Sequence, residues 1–151
     1  MLPFLAGERS PAWDLDARGA IWGLTLATRP VDIVRASLEA IAYRFALIEQ
    51  LLRSDAAPPR GIIGSGSGLL DSPAWVQIMS DVLDQPIVTS AVPEASSRGA
   101  ALLALEAKGA IESAASVETP LGTKYAPIRR HTEIYRRAMV RQMDMYRKLV
   151  P

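Results

Sequence analysis

Residues 61–83 constrain the fold more than any other stretch: the apolar run Gly61-Ile62-Ile63 leads into Gly64-Ser65-Gly66-Ser67-Gly68 and then into Ser72-Pro73. A short buried strand, a glycine-rich turn and a helix start follow in that order. Ser72 suits the N-cap because its hydroxyl can accept an orphan amide hydrogen bond, and proline at the first helical position forfeits none. Trp75, Ile78, Met79, Val82 and Leu83 then mark a buried helical face. Asp84-Gln85-Pro86 ends this helix, Ile87-Val88-Thr89 is β-branched enough for a second strand, and residues 95–108 predict an Ala/Leu-rich helix closed by Gly109. Alternating strand and helix calls for an α/β sheet covered by helices, with the direction of strand pairing left open.

Upstream, Val34, Leu38, Ile41, Phe45, Ile48 and Leu52 recur at alternating four- and three-residue steps and place one apolar stripe along a helix over residues 30–53, with Pro30 in its first turn. Asp55-Ala56-Ala57-Pro58-Pro59-Arg60 cannot continue that helix. Residues 1–26 read as loops leading into a short strand at 20–24, and residues 111–127 as an irregular surface connection. A last helix is predicted over residues 132–150, with Tyr135, Met139, Tyr146 and Leu149 inward. With no internal repeat, residues 1–151 are expected to form one domain.

Several function classes are disfavoured by what the chain contains. Lys and Arg total 17 against 16 Asp and Glu, so no strong field would recruit nucleic acid or an anionic membrane. The seven cations Arg129, Arg130, Arg136, Arg137, Arg141, Arg147 and Lys148 suit the solvated side of an amphipathic helix better than a nucleic-acid reader, since no aromatic stacking pattern accompanies them. There is no cysteine, which excludes disulfides and thiolate chemistry and fits a reducing cytoplasm. No apolar run approaches the roughly 18 residues that a membrane span needs, so no membrane partner is expected.

The strongest local candidate for chemistry is the glycine turn, where small residues let a ligand approach the backbone where a strand gives way to a helix. It matches neither a Walker A pattern nor a dinucleotide fingerprint, and on spacing alone a plain tight connection is the commoner reading. In Leu5-Ala6-Gly7-Glu8-Arg9-Ser10-Pro11, Arg9 could hold an oxyanion with its planar fork, against the plainer reading of an exposed Glu8/Arg9 pair. Asp14 and Asp16 sit at turn-like spacing, which favours local hydrogen bonding over paired carboxylate catalysis. Ser65 or Ser67 with His131 would make a hydrolase only if helix followed the serine at once, whereas Leu69-Leu70-Asp71 intervenes before the Ser72 cap.

Taken in order, these segments resemble the FGGY carbohydrate kinases. The stretches Phe4-Leu5-Ala6-Gly7-Glu8-Arg9-Ser10-Pro11 and 14–23 are similar to that family's FLxGERxPxWDPxARGxxxGL, with the pattern's second proline unmatched. Gly19, Ile21, Gly23, Leu24, Asp32, Ile33, Ala36, Ser37, Leu38 and Glu39 satisfy a second family signature. Gly66-Ser67-Gly68 followed by Ser72-Pro73-Ala74-Trp75-Val76-Gln77 resembles its adenosine motif, and residues 93–101 its PExxAxGAA helix.

The resemblance covers about residues 2–108 and implies a ribonuclease-H-like, actin-like ATPase α/β half-domain, the C-terminal part of a kinase that phosphorylates a sugar, sugar acid or polyol. It assigns nucleotide contact to Gly66, Ser67, Gly68, Asp71 and Ser72, with Ser67 departing from the usual glycine, and leaves Arg9 near the substrate. ATP and magnesium are the implied cofactors, the metal mainly held by an N-terminal domain carrying the DxGTT motif and the catalytic aspartate. Such a half-domain alone would be inactive and would associate through an apolar interface with that domain or with itself. The alternative is a non-catalytic binding or assembly module that keeps the core fold.

Overall fold

A computed structural model describes residues 1–55 and 61–150. The chain breaker expected over residues 55–60 falls almost entirely outside them. An N-terminal strap of loops precedes helix α1, Pro30–Asp55. Strand β1 (Ile62–Gly64) leads through a single helical turn, α2 (Ser67–Leu70), into α3 (Pro73–Leu83). Strand β2 (Ile87–Ser90), helix α4 (Ala95–Ala107), a 3-10 turn over Ala114–Ser116, strand β3 (Leu121–Tyr125) and helix α5 (Arg129–Leu149) complete the order.

The sheet order is β1-β2-β3. β1 and β2 are parallel, with Ile62 opposite Ile87 and Gly64 opposite Thr89, so the α2–α3 segment is the crossover that a parallel pair requires. β3 runs antiparallel to β2, Ile87 facing Tyr125 and Ser90 facing Leu121 around a register irregularity. That strand replaces part of the irregular connection expected over 111–127. Leu121-Gly122-Thr123-Lys124-Tyr125 has neither apolar alternation nor a buried face, and is a strand because β2 offers it an open edge.

The opposite correction holds at 20–24. Only Ala20 forms a bridge, with Leu2 on the strap, while Ile21, Trp22 and Leu24 stay exposed. Apolar residues make a strand only where a neighbouring backbone can complete the ladder.

α3 lies at the centre, packed on α1 and α5. The main core joins Ala42, Tyr43 and Ala46 of α1 to Val76, Met79 and Val82 of α3, Ile87 of β2 and Tyr135 of α5. α1 therefore buries its alanines and Tyr43 more deeply than the stripe read from sequence. Leu38, Ile41 and Ile48 are half-buried, and Val34, Phe45 and Leu52 are exposed. Small residues on α1 let α3 come close, and the bulky ones are left at the sides of the contact.

α5 begins three residues earlier than expected and leaves Leu149 exposed while Val150, just past its end, is buried with Leu2 and Phe4. α4 ends at Ala107, followed by Lys108 as its C-cap and by Gly109 at φ +71°. No residue of α4 is fully buried. Ser72 caps α3 as its sequence foretells, its Oγ accepting the Trp75 amide at 3.3 Å. Ser72→Ala should cost about 1 kcal/mol, a lost N-cap, read as a small drop in the thermal midpoint with an unchanged circular-dichroism spectrum.

Candidate functional site

The glycine turn opens on a groove of about 870 Å³ between the C-terminal half of α1 and the β1–α2 segment. Phe45, Ile48 and Leu52 form one wall, Ile62, Ile63 and the turn form the other, and Trp75 and Met79 lie between them. Phe45 is 51% exposed and Ile63 55%, so these walls meet solvent although most of the side chains lining them are apolar. At the rim, Glu49 accepts hydrogen bonds from Arg53 and, at 2.8 Å, from Gln85 Nε2. Phe45 and Leu52 lie on the stripe that sequence periodicity marked as core. Nothing in a single helix tells a core-facing apolar residue from one that walls a groove.

Within the turn, the glycines have different jobs. Gly64 is buried, and a Cβ there would lie 3.0 Å from Leu69 Cδ2 and 3.2 Å from Ile87 Cγ2. Gly66 has φ +90°, the left-handed region that glycine alone adopts freely, and its carbonyl accepts the Leu69 and Leu70 amides to start α2. Gly68 lies in α2 with open space where a Cβ would project.

Gly66 and Gly68 line the groove; Ser67, Asp71 and Ser72 are not among its lining residues. Ser67 is the exposed first residue of α2, and Asp71 is that turn's exposed C-cap. The hydroxyl of Ser72 is engaged by its capping bond. Helix thus begins at Ser67, five residues sooner than Ser72, which corrects the spacing used to set aside a serine hydrolase. That chemistry is still without a base, because the chain's one histidine, His131, holds Asp81 Oδ2 through Nδ1 at 2.8 Å and does not line the groove.

Elsewhere the structure separates Glu8 from Arg9. Arg9 is exposed, whereas Glu8 is buried and ion-paired with Arg44 of α1, its other oxygen accepting the Tyr146 hydroxyl of α5 at 2.6 Å. The plainer reading of an exposed Glu8/Arg9 pair is therefore wrong; the partner lies 36 residues away, beyond any local pattern. Burial pushes the Arg44 guanidinium below its ordinary value, with Tyr146 opposing the shift. Asp14 acts as a turn residue, its Oδ1 accepting the amides of Asp16 at 2.8 Å and Ala17 at 3.1 Å.

On α5, Arg129, Arg136 and Lys148 form exposed ion pairs with Glu133, Asp84 and Asp144, as suits a solvated face. Among the described residues no group of three or more His, Cys, Asp or Glu could hold a metal ion, and no helix is long and apolar enough to cross a membrane. The groove can accept a flat, largely apolar group against side-chain-free backbone, and it carries little chemistry of its own.

Residues 1–107 match the model of the FGGY family of carbohydrate kinases, C-terminal domain. The chain is 35% identical over 149 residues to a gluconokinase from Bacillus subtilis, spanning 99% of this chain and 27% of that protein. Among solved structures it resembles a ligand-bound xylulose kinase from Lactobacillus acidophilus, at 27% identity and TM-score 0.84 over 98% of this chain and 30% of the other. A glycerol kinase from Plasmodium falciparum, solved with ADP, is similar at 25% identity and TM-score 0.80, over 99% of this chain and 30% of that one. The chain thus spans under a third of the length of these relatives.

Proposed function

The chain belongs to the FGGY family of carbohydrate kinases as its C-terminal domain, and on that premise we propose that it is the nucleotide-side domain of an ATP-dependent kinase acting on a hydroxyl of a sugar, sugar acid or polyol. The fold is the ribonuclease-H-like, actin-like ATPase α/β fold of that family. The observation that carries the nucleotide assignment is the position of Gly66 and Gly68 on the wall of an open, apolar groove. An adenine ring gains from burying its faces against apolar side chains, and a turn without side chains lets it come close to the backbone.

In this reading Gly66 and Gly68 shape the base site, Ser67 and the exposed carboxylate of Asp71 are the polar groups proposed to meet the ribose hydroxyls, and Ser72 keeps the turn in place by capping α3. Bound ATP supplies the phosphoryl group. The residues of this chain bind and orient the nucleotide, and no step is assigned to magnesium because no described cluster fits it. The 35% identity to a gluconokinase favours a sugar acid as substrate, with the exposed Arg9 as the cation that would meet its carboxylate. An ATP-consuming role and the lack of cysteine accord with the cytoplasm.

The test is an amide chemical-shift titration with ATP or ADP. Shifts should appear around residues 64–72 with affinity near millimolar, a scale of about 4 kcal/mol. Gly68→Val should abolish them. That position has open space and no positive φ, so valine enters the groove without the backbone strain it would meet at Gly66. Arg136→Ala, on the exposed side of α5, should leave them intact. Shifts that survive Gly68→Val, or that cluster on α5, would overturn the site, and no shifts at all would favour a binding or assembly module without nucleotide.

A further inference from the structure

The buried Glu8 cluster plays no part in the nucleotide reading, and its geometry is that of a latch. Residues 8–14 form an arch closed at its neck by the Glu8 amide, which donates to the Asp14 carbonyl at 2.6 Å. Gly7, at φ +79°, packs so closely on this neck that a Cβ would lie 2.7 Å from the Leu15 carbonyl oxygen. Between the two ends of the arch Arg9, Ser10, Ala12 and Trp13 are all exposed, Trp13 to 71%. Trp13 also has φ +57°, a left-handed conformation that a bulky residue keeps only where its surroundings over-determine it.

Glu8 is only 2% exposed and reaches inward from the foot of the arch. Its carboxylate meets Arg44 on α1 and the Tyr146 hydroxyl on α5. The Arg44 guanidinium in turn lies 5.3 Å from the Phe4 ring centre and 5.1 Å from that of Tyr146, while Phe4 and Tyr146 meet edge to face. The strap is tied to the same two helices a second time by Gln142 Nε2, which donates to the Met1 carbonyl at 2.9 Å and to that of Ala40 at 3.3 Å.

A buried ion pair often adds no more stability than well-packed apolar residues of similar size would, whereas its geometry fixes one arrangement of the groups it joins. We propose that Glu8 is a positioning residue: held between Arg44 and Tyr146, it locks the arch onto α1 and α5 and thereby presents Arg9 and Trp13 in one orientation. The lock bears on sugar recognition only through the reading of Arg9 given above, and its test does not depend on that reading.

Hydrogen exchange can follow the arch through the amides of Glu8, Asp16 and Ala17, the three whose partners lie within it. In Glu8→Gln, which keeps the shape and removes the charge, these amides should exchange at least about tenfold faster than in the parent, with amides of α3 changing much less. Tyr146→Phe removes one donor and keeps the ring, and should give a smaller increase, roughly threefold, at the same three positions. The Trp13 indole should gain fast motion in its nitrogen relaxation while Trp75 does not. Unchanged arch exchange in both variants, or an increase no larger than that in α3, would overturn the latch. If Glu8→Gln does not fold, Tyr146→Phe decides alone.

Discussion

Arg44→Met is expected to destabilise the protein by about 3–5 kcal/mol, the usual cost of leaving one member of a buried ion pair without its partner. For a chain of this size that is a fall of roughly 6–20 °C in the thermal midpoint. Methionine can follow the aliphatic stem of Arg44, so the loss falls on the charged head, which pairs with Glu8 and lies against the Phe4 and Tyr146 rings. Among the described residues, the Glu8 carboxylate would keep only the Tyr146 hydroxyl as a side-chain partner. The double variant Glu8→Gln/Arg44→Met removes both charges and should recover at least half of the loss, because no unpaired ion then remains in the interior. Thermal or urea denaturation of the parent, two single variants and the double one closes the cycle. Additive losses would mean that the two side chains act independently, contrary to their contact.

Asp81→Ala should be comparably severe, about 2–4 kcal/mol, because one buried carboxylate serves three donors, one on its own helix and two at the start of α5. Asp81 Oδ1 accepts the Ile128 amide at 2.7 Å and Gln77 Nε2 at 2.8 Å, and Oδ2 meets His131 Nδ1 at 2.8 Å. Ile128 is the N-cap residue of α5 and has no side chain able to cap it, so α3 supplies through Asp81 the acceptor that α5 lacks. Asp81→Asn should lose less, since its amide oxygen can still accept the backbone bond. Urea denaturation with a tyrosine signal reports both, and exchange at the amides of the first turn of α5 should quicken most. Equal stability of Asp81→Ala and the parent would show that water serves these donors as well.

The local order of strand, glycine turn, capped helix and second strand was legible because each step has a short-range cause. Ser72 and Pro73 start α3 by hydrogen-bond and ring geometry within one turn, and Pro86 and the β-branched run after it set where β2 can lie. The motifs around Gly7, Gly19 and Gly66 likewise carried the family, since they are strings of neighbours. Tertiary structure alone decided the rest. It paired β1 parallel to β2, drew residues 121–125 into the sheet, and turned part of the α1 stripe into a groove wall. It also took Glu8 and Asp81 inside, to partners 36 to 138 residues away for the first and about 50 for two of those of the second. A charged residue reads as solvent-exposed until a partner from elsewhere in the chain offsets its desolvation, and an apolar residue reads as core until the space opposite it is known. Both depend on what the folded backbone places at the other side of the contact, and no local sequence pattern records that.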